Sequence, residues 1–233
     1  MTEDMYLRTE AVLGSTAVEK IKKTKVLLFG VGGVGSYCAE ALCRAGVGSF
    51  TLIDPDTVNP TNINRQLVAL TSTVGLAKVE VMKSRMLDIN PGCCVNVMQA
   101  SFGEEYDRTN PLNFSQYDYI IDCIDSADDK IYIICKATAA NVNIISSMGA
   151  ANKLDPSRFA ITDIYKTSNC PLAKVMRRKL REKGITSLKV AFSTETPVPI
   201  KTPGIPLGSL SFVPSACGLV IAGEVIRNIA GID

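Results

Sequence analysis

Four glycines, Gly30, Gly32, Gly33 and Gly35, follow directly on the apolar run Val26-Leu27-Leu28-Phe29. A second apolar run, Ser49 to Ile53, ends in Asp54. Glycines let a backbone turn tightly and approach a phosphate with no Cβ in the way, and a helix beginning among them offers free N–H groups and the positive end of its dipole. An acid at the tip of the next strand can accept hydrogen bonds from both hydroxyls of a ribose. The amide-rich stretch Thr57 to Gln66 follows, where Arg65 and its neighbouring amides could grip phosphate oxygens. Lys78 opens a predicted helix, against that helix's dipole, which implies an anion nearby. Asp125 stands between a buried apolar run and another predicted helix, where it could hold Mg²⁺ on a phosphate. Its other reading is a helix N-cap, a role that Ser126 could fill instead. Together these residues describe a site for a phosphorylated nucleoside.

The chain excludes much other chemistry. It has no histidine, so Ser-His-Asp and Cys-His catalysis and histidine metal sites are ruled out. Acid–base or electrostatic work falls to Asp, Glu, Lys, Arg, Tyr or Cys. None of the eight cysteines forms a C-x-x-C pair, so no paired-cysteine zinc site is expected. The first residues carry no apolar signal core, which implies reduced thiols and a cytoplasmic protein. A net charge of +2 gives no global field, so any basic surface must be local. Thr202 to Gly223 carries no charge, but Pro203, Pro206 and Pro214 argue against a continuous transmembrane segment.

The elements needed to position these residues alternate along the chain. Strands are expected over Val26–Phe29, Ser49–Ile53, Cys94–Met98, Tyr117–Cys123, Val142–Ser146, Phe159–Ile164, Lys189–Ser193 and Ser209–Phe212. Helices are expected after the glycines and over Lys78–Ile89, Ala127–Ala140, Pro171–Gly184 and Ser215–Ile229. Repeated strand–helix–strand units predict an α/β fold, a Rossmann-like, mostly parallel sheet with helices on both faces and a C-terminal extension. The chain divides into an N-terminal helical arm (1–24), the nucleotide-binding unit (25–166) and a C-terminal part packed on the same domain (167–233). With 233 residues, 46% of them hydrophobic, the chain can close one full core.

Two further features stand apart from the glycine unit. The predicted helix Pro171–Gly184 carries Lys174, Arg177, Arg178, Lys179, Arg181 and Lys183 against one acid, Glu182. That is either the footprint of a polyanion such as RNA or a solvated face. Arg8, in the N-terminal arm, reads as solvated on local grounds alone.

The motifs, taken in order, resemble the ubiquitin-activating-like superfamily, which includes the adenylyltransferases of thiamin and molybdopterin synthesis. They are GVGGVG (30–35), D-x-D at Asp54 and Asp56, N-x-N-R-Q at Asn62 to Gln66, VGLAKVE around Lys78, and DCID ending at Asp125. Within it, R-T-E-x-x-x-G from Arg8, the Asp155-Pro156 turn, T-D-x-x-K-T from Thr162, the P-L-A-K-x-x-R helix and F-S-T-E from Phe192 resemble the tRNA threonylcarbamoyladenosine dehydratases. The resemblance implies ATP-Mg²⁺ adenylation of a carboxylate on tRNA by a homodimer. It implies Gly30, Gly32, Gly33, Gly35, Asp54, Asp56 and Gln66 at the nucleotide, with Asn62, Arg65 and Lys78 on the phosphates. It gives Asp125 the metal, and makes Arg8 an arginine finger on the partner's ATP. Cys170 matches no motif of that group and receives no role. Two rival readings remain: an adenylyltransferase for a sulfur-carrier protein, whose usual C-x-x-C pairs are missing here, and an NAD-binding dehydrogenase or nucleotide sensor.

Overall fold

Strands that are apolar on both faces must be covered on both. A computed structural model of the chain describes residues 5–204 and 207–232. Residues 1–4 of the expected arm, residues 205–206 and position 233 lie outside the described residues. Two helices, α1 (Leu7–Leu13) and α2 (Ser15–Lys23), precede β1 (Lys25–Phe29), α3 (Gly35–Ala45) and β2 (Ser49–Ile53). Next come α4 (Lys78–Ile89), β3 (Cys94–Met98), α5 (Glu104–Thr109), β4 (Tyr119–Asp122), α6 (Ala127–Ala139) and β5 (Asn143–Ser147). The chain closes with β6 (Phe159–Asp163), α7 (Pro171–Glu182), β7 (Lys189–Ser193) and α8 (Phe212–Ala230).

The strands form one seven-stranded sheet in the order β3-β2-β1-β4-β5-β7-β6. All neighbours are parallel except β6, which runs antiparallel to β7 at the edge. β1 alternates between the two faces, as its pleat requires. Val26 and Leu28 pack in one core with Leu42 of α3, Met82 of α4 and Ile221 of α8. Leu27 and Phe29 pack in another with Phe102, Phe114 and Ile133 of α6. A third core lies under α7, where Ala173, Met176 and Leu180 meet Ile131 and Ile134 of α6. Chain order reverses between β1 and β4, and ligands bind outside the strand ends at such a switch point.

Several expectations are corrected. Ser209 to Phe212 forms no strand but leads into α8, which starts earlier than expected, at Phe212. Pro214 falls in its first turn, where the N–H it lacks has no intrahelical partner to lose. The fourth strand begins at Tyr119, and just before it the Asp118 carboxylate accepts from the Lys25 N–H, 2.8 Å away. The short helix α5 escaped notice because six residues are too few to show a period. Among the described residues α8 is the one helix long and apolar enough to cross a membrane. Its Val213, Cys217, Ile221 and Val225 are buried against the protein core.

At the carboxyl end of β4 lies a fully buried ion pair. Lys130 Nζ of α6 is 3.0 Å from Asp122 Oδ2 and also donates to Ser146 Oγ (3.1 Å) and the Ser147 carbonyl (2.8 Å) of β5. Ser146 Oγ donates to Asp122 Oδ2 at 2.6 Å. Lys130→Met should strand Asp122 as an unpaired buried charge and cost about 3–5 kcal/mol in urea unfolding. Adding Asp122→Asn to it should recover most of that loss. A single variant within about 1 kcal/mol of wild type, the value of an exposed pair, would show the pair to be solvated.

Candidate active site

The glycine turn between β1 and α3 is built by two of its glycines and opened by a third. Gly30 has φ +85°, and a Cβ there would lie 2.7 Å from the Cys123 carbonyl oxygen of the neighbouring β4 loop. A Cβ on Gly35 would overlap the Gly30 carbonyl, so the helix could not start so close to the strand. Gly32 is different: the nearest atom to an added Cβ is Gln66 Nε2, at an ordinary 3.6 Å. Protein packing gives no reason for a glycine there, whereas an approaching ligand does. Gly33 lies against Pro214 of α8. The N-terminus of α3 has no side-chain cap, which leaves its positive end open.

Asp54 at the tip of β2 is buried and ties the turn down. Its Oδ2 accepts from the Val31 N–H at 2.6 Å and its Oδ1 from the Asp56 N–H at 2.9 Å. Burial pushes its carboxyl up from the usual range, opposed by the Asp56 bond, the Lys78 charge and the Val31 bond. Lys78, almost fully buried at the start of α4, meets the Asp56 carboxylate at 2.7 Å. The anion that its unfavourable helix position implied is therefore supplied within the chain. Asn62 Oδ1 accepts from the Asn59 N–H in a reciprocal cap (3.0 Å), and Arg65 Nη1 donates to the Thr61 carbonyl and Asn64 Oδ1, each at 2.9 Å. Gln66 Oε1 is the one buried side-chain polar atom among the described residues with no hydrogen-bond partner. A buried orphan acceptor is costly and calls for a donor from outside the chain.

Asp125 is exposed just beyond β4. Ser126 caps α6 by accepting from the Asp129 N–H at 3.4 Å, so the Asp125 carboxylate is not spent on the helix. Gly30, Gly32, Asp54, Asp56, Asn62, Arg65, Gln66, Lys78 and Asp125 all line one crevice of about 410 Å³ at the switch point. Gly35 lies beneath it, Gly33 faces a neighbouring cavity, and Arg8 is exposed on α1 away from the crevice walls. The sequence reading missed the Asp122–Lys130 pair below the Asp125 loop. Its available signal was a lysine directly ahead of the apolar run Ile131 to Cys135 of α6, following a strand that ends in an acid.

The basic helix divides on inspection. Arg177 bonds the Thr167 carbonyl (3.1 Å) and hydroxyl, Lys179 pairs with Asp128, and the Arg181 guanidinium sits 5.0 Å over the Tyr165 ring. Lys174 and Arg178 are exposed and make no side-chain hydrogen bond or ion pair among the described residues. Cys170 caps this helix, its Sγ accepting from the Ala173 N–H.

A doubly wound sheet with a glycine turn, a ribose-type acid and two cations at its switch point defines a nucleotide-binding α/β protein. The chain belongs to the ThiF family, whose model matches residues 6–233. It is 43% identical to the tRNA threonylcarbamoyladenosine dehydratase of Bacillus subtilis strain 168, over 96% of this chain and 94% of that one. It superposes on the Escherichia coli tRNA N6-threonylcarbamoyladenosine dehydratase TcdA in complex with ATP with a TM-score of 0.88 at 33% identity. That match covers 97% of this chain and 94% of the other. Escherichia coli MccB with ATP, at 20% identity and a TM-score of 0.68 over 99% of this chain and 64% of that one, shares the fold. The family resemblance read from the motifs is thereby confirmed.

The glycines make separable predictions. Gly35→Ala should fail to give a cooperative unfolding transition. Gly32→Ala should melt within about 2 °C of wild type, since less than about 1 kcal/mol is at stake. Equal melting temperatures for the two would show that the turn accommodates a methyl at Gly35 after all.

Proposed function

We propose that this chain is an ATP-dependent enzyme that dehydrates threonylcarbamoyladenosine in tRNA through an acyl-adenylate. The observation that carries the reading is the convergence of Gly32, Arg65, Lys78 and Asp125 on one crevice, in a chain with dehydratase relatives of like length. ATP phosphates would lie over Gly32 at the open end of α3, within reach of Asn62, Arg65 and Lys78. Asp56 holds Lys78 in position. Each Asp54 oxygen has a lone pair left for a ribose hydroxyl, and Gln66 Oε1 can accept from another donor of the nucleotide.

The donor set also fits Mg²⁺. Among the described residues no three His, Cys, Asp or Glu side chains form a metal-holding group. Mg²⁺ needs no such cage, since it is commonly held by one or two carboxylates plus substrate phosphates and water. Asp125, with Asp129 also on the crevice wall, meets that need. Asp125 and Asp129 would hold a Mg²⁺ whose charge would offset that of the phosphates. The threonyl carboxylate attacks the α-phosphorus, pyrophosphate leaves, and Arg65 and Lys78 stabilise the charge that develops. A nucleophile within the modified nucleoside then closes a ring and expels AMP. Such intramolecular attack carries an effective molarity of about 10⁵–10⁸ M, so little further machinery is needed.

A homodimer completes the reading. Arg8 makes no contact with its own crevice, and exposed Leu7 and Val12 beside it on α1 leave apolar surface for a second copy. Arg8 then acts as a finger on the partner's ATP. On the basic helix, Lys174 and Arg178 are the residues left free for tRNA phosphates; Arg177, Lys179 and Arg181 are engaged inside the chain and support the helix. Because the substrate is tRNA, we assign the enzyme to the cytoplasm.

The direct test is incubation with ATP, Mg²⁺ and modified tRNA. AMP and a tRNA lighter by one water are expected, and their absence overturns the reading. Lys78→Ala should slow adenylation by about 10²–10³, the usual effect of removing one preorganised charge stabiliser. Mixing inactive Arg8→Ala and Lys78→Ala chains should restore activity, because one site of each mixed dimer keeps both groups. No recovery despite demonstrated subunit exchange would leave Arg8 a surface residue.

The paired variant Lys174→Ala, Arg178→Ala should weaken tRNA binding and flatten its salt dependence by roughly two counterions, with ATP affinity unchanged. An unchanged salt slope would move the RNA surface elsewhere.

A further inference from the structure

Beside the crevice opens a second cavity, of about 440 Å³. The two share Arg65, Cys123, Ile124 and Asp125 as a common wall. Their other walls differ in kind. The crevice has Asp54, Asp56 and Lys78, whereas the second cavity is faced by Met148, Ala150, Ala151, Pro171, Leu172 and Leu207. Its volume falls within the range of about 300–1,000 Å³ usual for small-molecule sites.

One buried cation interrupts this apolar lining. Lys153 is 2% exposed, and its Nζ donates to the Glu195 backbone carbonyl at 2.5 Å. The Glu195 carboxylate is engaged elsewhere, accepting from the Leu154 and Asp155 N–H groups at 2.9 and 3.0 Å. Among the described residues no carboxylate lies within ion-pairing distance of Lys153. Burial accordingly pulls the Lys153 amine below its usual range. An amine so placed has further N–H donors and no further acceptor among the described residues, an arrangement that favours a ligand oxygen.

We propose that this cavity receives the modified adenine of the tRNA, extruded from its strand, with Lys153 donating to an oxygen of its carbamoyl side chain. The proposal rests on the dehydratase reading and deepens it. An uncharged purine suits apolar walls, and enzymes that act on a base within a nucleic acid extrude it into such pockets. The shared wall at Arg65 and Asp125 lets the threonyl carboxylate of one occupant reach the α-phosphate of the other. Pro171 and Leu172 are the first two residues of α7, so the cavity mouth adjoins the exposed Lys174 and Arg178 that face the strand's phosphates. One continuous path thus runs from RNA backbone to base to carboxylate to ATP.

Ala151→Leu and Leu172→Trp fill the cavity from different segments. Each should lower kcat/KM for modified tRNA by at least about 10², the effect of displacing a reacting group by an ångström. Calorimetric ATP affinity should stay within twofold. Lys153→Met should raise the KM for tRNA while leaving the KM for ATP unchanged; a purely structural lysine would instead lower the melting temperature and shift both. As a direct probe, free threonylcarbamoyladenosine should bind the wild-type chain in the presence of a non-hydrolysable ATP analogue, more tightly than adenosine does. Folded Ala151→Leu with wild-type tRNA turnover overturns the cavity assignment and leaves the dehydratase reading standing. A wild-type chain that leaves modified tRNA unchanged and adenylates the tail of a carrier protein overturns both.

Discussion

The Asp122–Lys130 pair is the constraint on which the geometry of both cavities depends. A buried ion pair repays its desolvation only when its remaining donors and acceptors are also satisfied. Here they are: Lys130 spreads its donors over Asp122, Ser146 and the Ser147 carbonyl, and Asp122 Oδ1 accepts from the Ile124 N–H at 3.2 Å. The network joins the carboxyl ends of β4 and β5 to the first turn of α6. Those ends supply Cys123, Ile124 and Asp125 to the common wall and Ser147 to the second cavity. Asp125 is exposed and its carboxylate makes no bond among the described residues to hold it, so its position follows from a backbone pinned one residue earlier. An apolar replacement of the pair could match its stability, but it would leave nothing to orient the Ile124 N–H.

Against that rigid base, the costly local features gather on one side. The α3 N-terminus has no side-chain cap, Gly32 has no packing reason, and Gln66 Oε1 has no donor among the described residues. Each weakens the chain alone, and all of them belong to the crevice at the switch point. Local rules fail together where a ligand completes them. The Asp56 carboxylate illustrates the balance. It keeps Lys78 paired in a nearly buried position while itself remaining exposed to the crevice.

Much of this was readable in the sequence, for physical reasons that also mark the limits. Ser49–Ile53, Lys78–Ile89 and Lys189–Ser193 were delimited as they stand, because a strand buried on both faces or a helix stopped by Asn90-Pro91-Gly92 announces its ends locally. The crevice residues were legible because one glycine turn and one loop carry most of them. Lys130 was not, since its partner lies across a strand-to-helix turn and neither period predicts it. The antiparallel course of β6 depends on β7, which enters the sheet between β5 and β6 from later in the chain. The engagement of Arg177, Lys179 and Arg181 was equally hidden: their partners Thr167, Asp128 and Tyr165 lie outside the helix. The second cavity draws its walls from several separate segments, and no single motif marks it.

The chemistry available to such a site is narrow, and this narrowness bears on where selectivity resides. The chain has no histidine, and burial pushes the Cys123 thiol, on the common wall, up to about 12. That thiol stays protonated near neutrality and is a poor nucleophile. The crevice therefore offers charge and position in place of proton transfer. On the proposed reading this is enough, because adenylation turns a carboxylate oxygen into a good leaving group and the substrate brings its own nucleophile. It also means that the crevice has few means of choosing among carboxylates: any that reaches the α-phosphate meets the same Arg65 and Lys78. Discrimination must then come from what holds the rest of the substrate. An apolar chamber sharing the Arg65–Asp125 wall, with one buried amine among its side chains, can discriminate by shape and by a single hydrogen bond.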